Sequence, residues 1–235
     1  MNVSVKRMRA IFIKDYKEFS RNYAVSTMVL MPLILAFFYQ NAGASTLDMY
    51  FLPINMTFAV VTTFIQACLI AEEKESNTLR SLMMSPASMA DILIGKSTLV
   101  FSITLVIIAL TITILGFTPA NLLILTVGLM ISAVFYIGLG IICGLFTKTV
   151  MEASVAVLPV IGVFSIGALA LGLAETYPVL EVLKWLPSVQ LILLEGYSEA
   201  GYTSDIVIAL SVITAWTVAV LVVAGVLFKK RMKDE

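Results

Sequence analysis

The chain has no histidine, only two cysteines and few charged residues, and each shortage excludes a kind of chemistry. Histidine is the commonest metal ligand and general base, so its absence disfavours metal and acid–base sites. Cys68 and Cys143 lie in apolar segments without CxxC spacing, which predicts small packing residues. The deep parts of the apolar segments contain no Asp, Glu, Lys or Arg, and ion-coupled carriers usually need one there. We therefore expect no enzyme activity and no metal or cofactor bound by this chain.

Long apolar runs account for most of what is present. Charged residues make up 13% of the 235 residues and hydrophobic ones 60%, whereas a soluble domain is roughly 25% charged. A membrane-spanning helix needs about 20 apolar residues. Six segments qualify, at residues 24–42, 51–71, 92–116, 122–146, 150–174 and 206–228. The chain is predicted to be an all-α integral membrane protein with a single transmembrane domain over residues 1–235.

Positive charge is distributed unevenly around these segments. If all six cross and the N-terminus is cytoplasmic, every Lys and Arg except Lys184 lies on the cytoplasmic side. Positively charged loops stay in the cytoplasm. The other side carries the carboxylates Asp48, Glu175, Glu181, Glu195, Glu199 and Asp205. This pattern predicts a multi-pass plasma-membrane protein with both termini in the cytoplasm.

The first apolar segment has to be distinguished from a cleaved signal peptide. It is followed by Ala42-Gly43-Ala44, which resembles a small-residue cleavage site. However, the apolar run is long for a signal peptide, and a charged amphipathic stretch precedes it. We predict that this segment is retained as the first span.

An amphipathic stretch, residues 4–20, precedes the first span. Val5, Met8, Phe12, Tyr16 and Phe19 recur at steps of three and four, and basic residues fill the positions between them. This spacing predicts a helix whose basic face lies at the cytoplasmic membrane surface. Such a helix would anchor the topology, or would also join the moving parts of a transporter.

Residues 175–205 contain an apolar stretch that is too short to cross a bilayer. It covers residues 179–194 and is interrupted by Glu181, Lys184 and Pro187. We predict two short helices that dip into the outer leaflet without crossing and are separated by a break at residues 185–188. Together they form a re-entrant pair before the last span.

Small residues at multiples of four mark one face of the fourth span. They are Gly128, Ser132, Gly140 and Gly144. Small residues on one face allow close helix approach. The pattern predicts helix packing, either within the subunit or between two subunits.

Prolines in the first and fifth spans predict kinks, because each removes a backbone hydrogen bond. These are Pro32 and Pro159. With Met28 and Phe164, they form our candidate translocation seam, where a second membrane subunit would face the first.

The long polar cytoplasmic loop, residues 72–86, reads EEKESNTLRSLMMSP. Leu79, Leu82 and Met83 have helical spacing, and the preceding glutamates favour a helix N-terminus. An apolar face on a cytoplasmic loop needs cover, which a docking partner would provide. The chain has no GxxxxGK[ST] loop. Any ATP-driven work must therefore depend on another chain.

At this loop the sequence resembles the membrane subunit of type-2 ATP-binding-cassette exporters. That family carries the pattern E-K-E-x-G-T-L-E-x-L-x-x-T-P after its second span. The matching residues are Glu73, Lys74, Glu75, Thr78, Leu79, Leu82 and Pro86. Asn77, Arg80 and Ser85 replace the family's Gly, Glu and Thr, and Arg80 reverses a charge. The resemblance extends over the whole arrangement of interfacial helix, six spans and broken pair.

The resemblance implies that the loop is a coupling helix that docks on a separate nucleotide-binding subunit. The implied interface residues are Glu73, Glu75, Thr78, Leu79, Arg80, Leu82, Met83 and Pro86. Two such ATPases, which bind ATP and magnesium, would pair with two membrane subunits as a homodimer or with a close paralogue. Besides these subunits, the implied partner is the lipid bilayer, and nucleic acid is not implied.

The substrate is indicated only by the apolar spans and the short external loops. Flexible Met side chains suit permissive apolar surfaces. We expect export of an apolar or amphipathic compound, drug-like, lipid-like or peptide, across a bacterial plasma membrane, and we favour a peptide. Export rather than import follows from the resemblance alone. Two other functions stay open: a stand-alone secondary carrier or channel, and a membrane scaffold or immunity protein that binds a toxin without transport.

Overall fold

The computed structural model of the protein describes residues 5–76, 89–166 and 177–234, and every regular element in these ranges is helical. In chain order the helices are α1 (Val5–Arg21), α2 (Tyr23–Asn41), α3 (Leu47–Glu75), α4 (Met89–Leu115), α5 (Leu122–Phe146), α6 (Val150–Ser165), α7 (Pro187–Ala200) and α8 (Thr203–Asp234). A short 3₁₀ helix, Pro178–Trp185, precedes α7.

Within the described ranges, five helices are long and apolar enough to cross a membrane: α2, α3, α4, α5 and α8. They correspond to the first four predicted spans and the last. The fifth predicted span, residues 150–174, is described only in its first part, where α6 is a shorter apolar helix. Its second part lies outside the described residues. The number of six spans and the orientation in the membrane therefore stay predictions.

Helix α3 lies at the centre of the bundle, where α2, α4, α5 and α6 pack around it. The small-residue face of α5 permits the closest of these contacts. A Cβ atom on Gly140 would lie 2.6 Å from Cβ of Gln66, and one on Gly144 would lie 2.8 Å from the Ala67 carbonyl oxygen. Further along α5, a Cβ on Gly128 would lie 2.6 Å from Leu194 of α7. This face, including the buried Ser132, thus packs against α3 and α7 of the same subunit.

An aromatic core fills the middle of the bundle. The ring of Phe58 on α3 stacks on Tyr136 of α5 with a centroid distance of 5.1 Å. Phe164 of α6 meets the edges of Phe135 and Tyr136 at 5.4 and 5.7 Å. These contacts place Phe164, a residue of the candidate seam, in the interior of one subunit.

The other residues of the candidate seam divide between interior and surface. Pro32 on α2 is buried, whereas Met28 and Pro159 are exposed. Around Pro159 the α6 helix is irregular: its α-helical turns are interrupted at Val157, and a π-helical turn, Gly162–Ile166, follows. Met28 and Pro159 therefore leave parts of α2 and α6 exposed at the subunit surface, where a second subunit could bind.

The segment before α8 has the broken form that Pro187 predicts. The 3₁₀ helix ends at Trp185, Leu186 is extended, and Pro187 starts α7. The Trp216 indole nitrogen on α8 donates to the Trp185 carbonyl at 2.8 Å, which holds the break against the bundle. How deep this segment lies in the bilayer stays a prediction. Glu195 on α7 is buried, and its carboxylate accepts a hydrogen bond from the Ala120 amide at 2.7 Å.

Candidate functional site

Glu73, Lys74 and Glu75 form the last turn of α3, immediately before the undescribed part of the 72–86 loop. We call these three residues the anchor triplet. Consecutive residues on an α-helix point about 100° apart, since 3.6 residues make a turn. The three side chains therefore leave α3 in three directions, and each contacts a different part of the subunit.

Glu73 points into a buried group of charges between α1, α3 and α4. Its carboxylate lies 2.9 Å from the Lys96 ammonium of α4 and also pairs with Lys14 of α1. Lys96 in turn lies 3.0 Å from Asp15 of α1 and donates to the Leu69 carbonyl at 3.4 Å. Glu73, Asp15 and Lys96 are all buried. Unpaired buried charges are very costly, so these three groups depend on one another.

These ion pairs attach α1 to the bundle. A Cβ on Gly95 would lie 3.0 Å from Ile11, so glycine lets α1 come close to α4. Near the start of α1, Arg7 pairs with the buried Asp91 of α4 at 3.2 Å. Helix α1 is thus fixed to the end of α3 and to the start of α4, the two helices on either side of the 72–86 loop.

Burial along α1 follows the apolar period only in part. Val5 and Tyr16 of the apolar face are exposed in the isolated subunit, whereas Asp15, which lies between apolar positions, is buried beside Ile11. Met8, Phe12 and Phe19 are half-buried. The buried side of α1 thus includes the ion pair between Asp15 and Lys96, which a pattern of apolar residues cannot predict.

Burial and charge act in opposite directions on Asp15. Burial raises the pKa of its carboxyl above the ordinary value; the nearby Lys96 and Lys14 lower it again without cancelling the effect. For Lys14, burial lowers the pKa, but Glu73 and Glu18 outweigh it, so that the pKa is raised. Carboxylate atoms of Asp15, Glu18 and Glu73 lie within 4.8 Å of one another. The Lys14 and Lys96 ammonium groups pair with all three carboxylates, so the donor set is that of an ion-pair network.

Lys74 points the other way, to the end of α5. Its ammonium donates to the carbonyl oxygens of Gly144 and Leu145 at 3.3 and 2.8 Å, and to that of Thr147. The last carbonyls of a helix have no partner within the helix and carry a partial negative charge. Lys74 satisfies them and thereby joins the end of α3 to the end of α5.

Glu75 contacts the start of α6. Its carboxylate accepts a hydrogen bond from the first amide of that helix, at Val150, with a distance of 2.9 Å. The same turn is capped by Thr149, which accepts from the Glu152 amide, and by Glu152, which accepts from the Lys148 amide. A carboxylate at a helix N-terminus is stabilising. The anchor triplet therefore joins α3 to α1, α4, α5 and α6.

Only two of the eight predicted interface residues lie in the described part of the chain. Glu73 contacts lysines of its own subunit from a buried position, and Glu75 is exposed beside α6. The others lie outside the described residues: Thr78, Leu79, Arg80, Leu82, Met83 and Pro86.

The sequence reasoning missed Asp15, Asp91 and Lys96 as parts of a buried network. One feature of the sequence could have indicated that Asp15 is buried. Met8, Ile11, Asp15 and Phe19 also recur at steps of three and four, with a carboxylate among apolar residues. A charge on an otherwise apolar face requires a partner of opposite sign when it is buried. Lys96, which lies near the start of the third predicted span, is a candidate for that partner.

Comparison with known proteins identifies one family. The family model described as ABC-2 family transporter protein matches residues 8–232, which is nearly the whole chain and includes the anchor triplet. A search of the curated proteins finds no match.

Proposed function

The chain belongs to the ABC-2 family of transporter proteins, and from this premise we propose that it is the membrane subunit of an ATP-driven exporter. The ATP-hydrolysing subunit is a separate chain, present in two copies, which binds ATP and magnesium. The observation that carries the proposal is the anchor triplet, because it lies where a docked ATPase would push on the membrane subunit.

The triplet gives a route for that push. A displacement of the 72–86 loop acts on the end of α3, and from there Glu73 transmits it to α1 and α4. Lys74 transmits it to α5, and Glu75 transmits it to α6. Charge-assisted hydrogen bonds are short and directional, so they carry motion better than loose apolar contacts. One docked loop would thus move most of the bundle together.

The loop residues divide into two roles under this proposal. Glu73 holds the loop to its own subunit. The apolar face of Leu79, Leu82 and Met83 contacts the ATPase, with Thr78, Arg80 and Pro86 beside it and Glu75 at its edge. Arg80 contributes a positive charge where the family carries Glu, so the partner surface should carry a carboxylate opposite it.

A second copy of the chain, or a close paralogue, completes the exporter. Helix α2 supports this, because only 17% of its most apolar stretch is buried in one subunit. Ile34, Phe37 and Phe38 are each at least 63% exposed. A large exposed apolar face in a transporter subunit suits a partner helix as well as lipid. We place the seam between the subunits at Met28 on α2 and at Pro159 on the exposed side of α6. An apolar or amphipathic substrate, preferably a peptide, passes between the subunits at this seam.

The test is whether the loop binds an ATPase. The chain is co-expressed with a candidate ATP-binding subunit, and the complex is purified through a tag on that subunit. Leu79→Asp with Leu82→Asp should abolish co-purification, since two charges replace the apolar face.

The matched control is Leu122→Asp with Leu123→Asp, two exposed leucines at the start of α5. Aspartates are favoured at a helix N-terminus, so this variant should bind as the wild type does. Equal binding by both variants would show that the loop does not dock. A carrier or a toxin-binding scaffold would retain its activity without any ATPase.

A further inference from the structure

Helices α4, α5 and α8 leave an apolar groove on the outer surface of the bundle, with a volume of about 370 Å³. Ile137 and Ile141 of α5 form its floor. Its walls include Ile94 on α4 and Leu221 on α8, which are 45% and 41% exposed, so the groove opens outward. This volume falls in the range of small-ligand sites, roughly 300–1,000 Å³.

The groove offers almost no hydrogen bonds. Phe101 and aliphatic side chains make up most of the lining, and the Thr98 hydroxyl donates to the Ile94 carbonyl of its own helix at 2.6 Å. All three helices are long and apolar enough to span a membrane. A groove of this kind selects a flexible apolar chain rather than a polar solute.

Positive charge lies at one end of the groove. Gly225 of α8 lines it, and Lys229 follows four residues later, on the same face of the helix. Lys229 and Lys230 are both exposed. The sequence continues with Arg231 and Lys233 before Asp234 and Glu235. Clusters of Lys and Arg next to a membrane span attract anionic headgroups, with about 1 kcal/mol for each residue, which corresponds to about fivefold in affinity.

We propose that this groove binds one acyl chain of an anionic phospholipid from the cytoplasmic leaflet, whose phosphate lies at Lys229. The leaflet follows from the proposed topology, in which α8 ends in the cytoplasm. The apolar lining accounts for the chain and the basic helix end for the headgroup. This site is separate from the seam on α2 and α6, and lipid bound here would stay on the outer side of the bundle.

Two variants fill the groove from opposite walls. A Cβ on Gly225 would have no atom within 4 Å, so Gly225→Leu places its side chain in open space. Ser97→Leu fills it from α4. The matched control is Gly162→Leu on α6, where a Cβ also meets nothing within 4 Å. Circular dichroism and gel filtration then show whether each variant is folded.

The experiment uses the full chain in phosphatidylcholine vesicles that contain phosphatidylglycerol with a photoactivatable acyl chain. Cross-linked peptides are identified by mass spectrometry. We expect labelling of α4 and α8 peptides around Ile94 and Gly225, reduced about tenfold in Gly225→Leu and in Ser97→Leu, and unchanged in Gly162→Leu. Equal labelling of all folded variants would overturn the site. A change of oligomeric state in Gly225→Leu would show that another protein chain fills the groove, which also overturns it.

The headgroup contact is tested separately. Competition between unlabelled phosphatidylglycerol and phosphatidylcholine measures the preference for negative charge. Lys229→Gln should reduce this preference about fivefold, and Lys230→Gln, which points about 100° away, should reduce it less. Equal effects would indicate surface charge alone and overturn the placement of the phosphate. These measurements need neither ATP nor the ATPase, so they can succeed or fail independently of the proposed transport function.

Discussion

The candidate membrane spans of α3 and α8 have nearly the same length but opposite environments. Over 29 residues, α3 has a mean hydropathy of 1.8 in its most apolar stretch, and 94% of that stretch is buried. In the 28-residue candidate span of α8, Thr203–Lys230, the most apolar stretch reaches 2.7, yet only 28% of it is buried. The less apolar helix occupies the centre. In a membrane protein the outside faces hydrocarbon, so polar groups collect inside the bundle, where they find partners.

The polar side chains of the two helices satisfy their hydrogen bonds in different ways. On α3, Thr62 bonds to Thr104 of α4 at 2.7 Å, and Thr63 donates to the Tyr136 carbonyl of α5 at 3.2 Å. On α8, Ser211 and Thr214 donate to carbonyls of their own helix at 2.7 Å. Thr62 and Thr63 of α3 therefore join helices, whereas Ser211 and Thr214 of α8 bond only within their own helix. We expect substitutions on α3 to be much more damaging.

The largest effect should come from Lys96, on which the charges around the anchor triplet depend. Lys96→Ala leaves Asp15 and Glu73 buried with too little positive charge. Removing one partner of a buried ion pair costs about 3–5 kcal/mol, so the thermal unfolding temperature in detergent should fall sharply. Lys17→Ala, an exposed lysine on α1, serves as the control and should change little.

A neutral replacement of the whole group separates stability from coupling. Lys96→Met with Asp15→Leu and Glu73→Met replaces the three buried charges by apolar side chains of similar volume, which is often close to neutral for stability. Lys14 keeps Glu18 as a partner. The triple variant should unfold near the wild-type temperature but lose transport-coupled ATPase activity in the assembled complex. Full coupling in this variant would show that the ion pairs only stabilise the subunit.

Much of the fold was accessible from the sequence because it depends on local pattern. Long apolar runs predict α2, α3, α4, α5 and α8, and Pro187 predicts the helix break before α7. Which helix would occupy the centre was not predicted, since hydropathy alone does not select α3. The mean hydropathy of α2 is lower, 1.6 against 1.8, yet only 17% of its most apolar stretch is buried. The central position of α3 depends on polar contacts between helices that are far apart in sequence.

The site was predicted only in part, for a similar reason. The pattern around Glu73, Lys74 and Glu75 indicated a functional loop, but Glu73 and Glu75 were expected to contact an ATPase rather than other helices of their own subunit. Their partners come from four other helices, and one of these, Lys96, determines which side of α1 faces the bundle. An apolar period fits two faces of α1 about equally, so only the tertiary ion pair selects between them.

Substitution of two glycines compares a buried contact with α3 and an open surface by steric effects alone. Gly140→Leu on α5 would place its Cβ 2.6 Å from Gln66 and 2.7 Å from the Thr63 carbonyl, so α3 must move. Overpacking of this kind typically costs about 1–3 kcal/mol. Gly162→Leu on α6, where the added Cβ meets nothing within 4 Å, should leave the unfolding temperature nearly unchanged. Similar losses in both variants would contradict the close approach of α5 to α3.

The smallest expected effects come from a matched pair of valines on α8 itself. Val222 is 59% exposed, whereas Val220 is 8% exposed and packs where Gly138 leaves room on α5. Val→Thr adds a hydroxyl that can bond to the helix's own carbonyl at either position, so the difference between the two variants measures packing. Val220→Thr should lower the free energy of unfolding by about 1 kcal/mol, and Val222→Thr should stay within about 0.5 kcal/mol. If Val222→Thr proved the more damaging, the exposed face of α8 would be a protein interface, and the contrast between α8 and α3 would hold only for the isolated subunit.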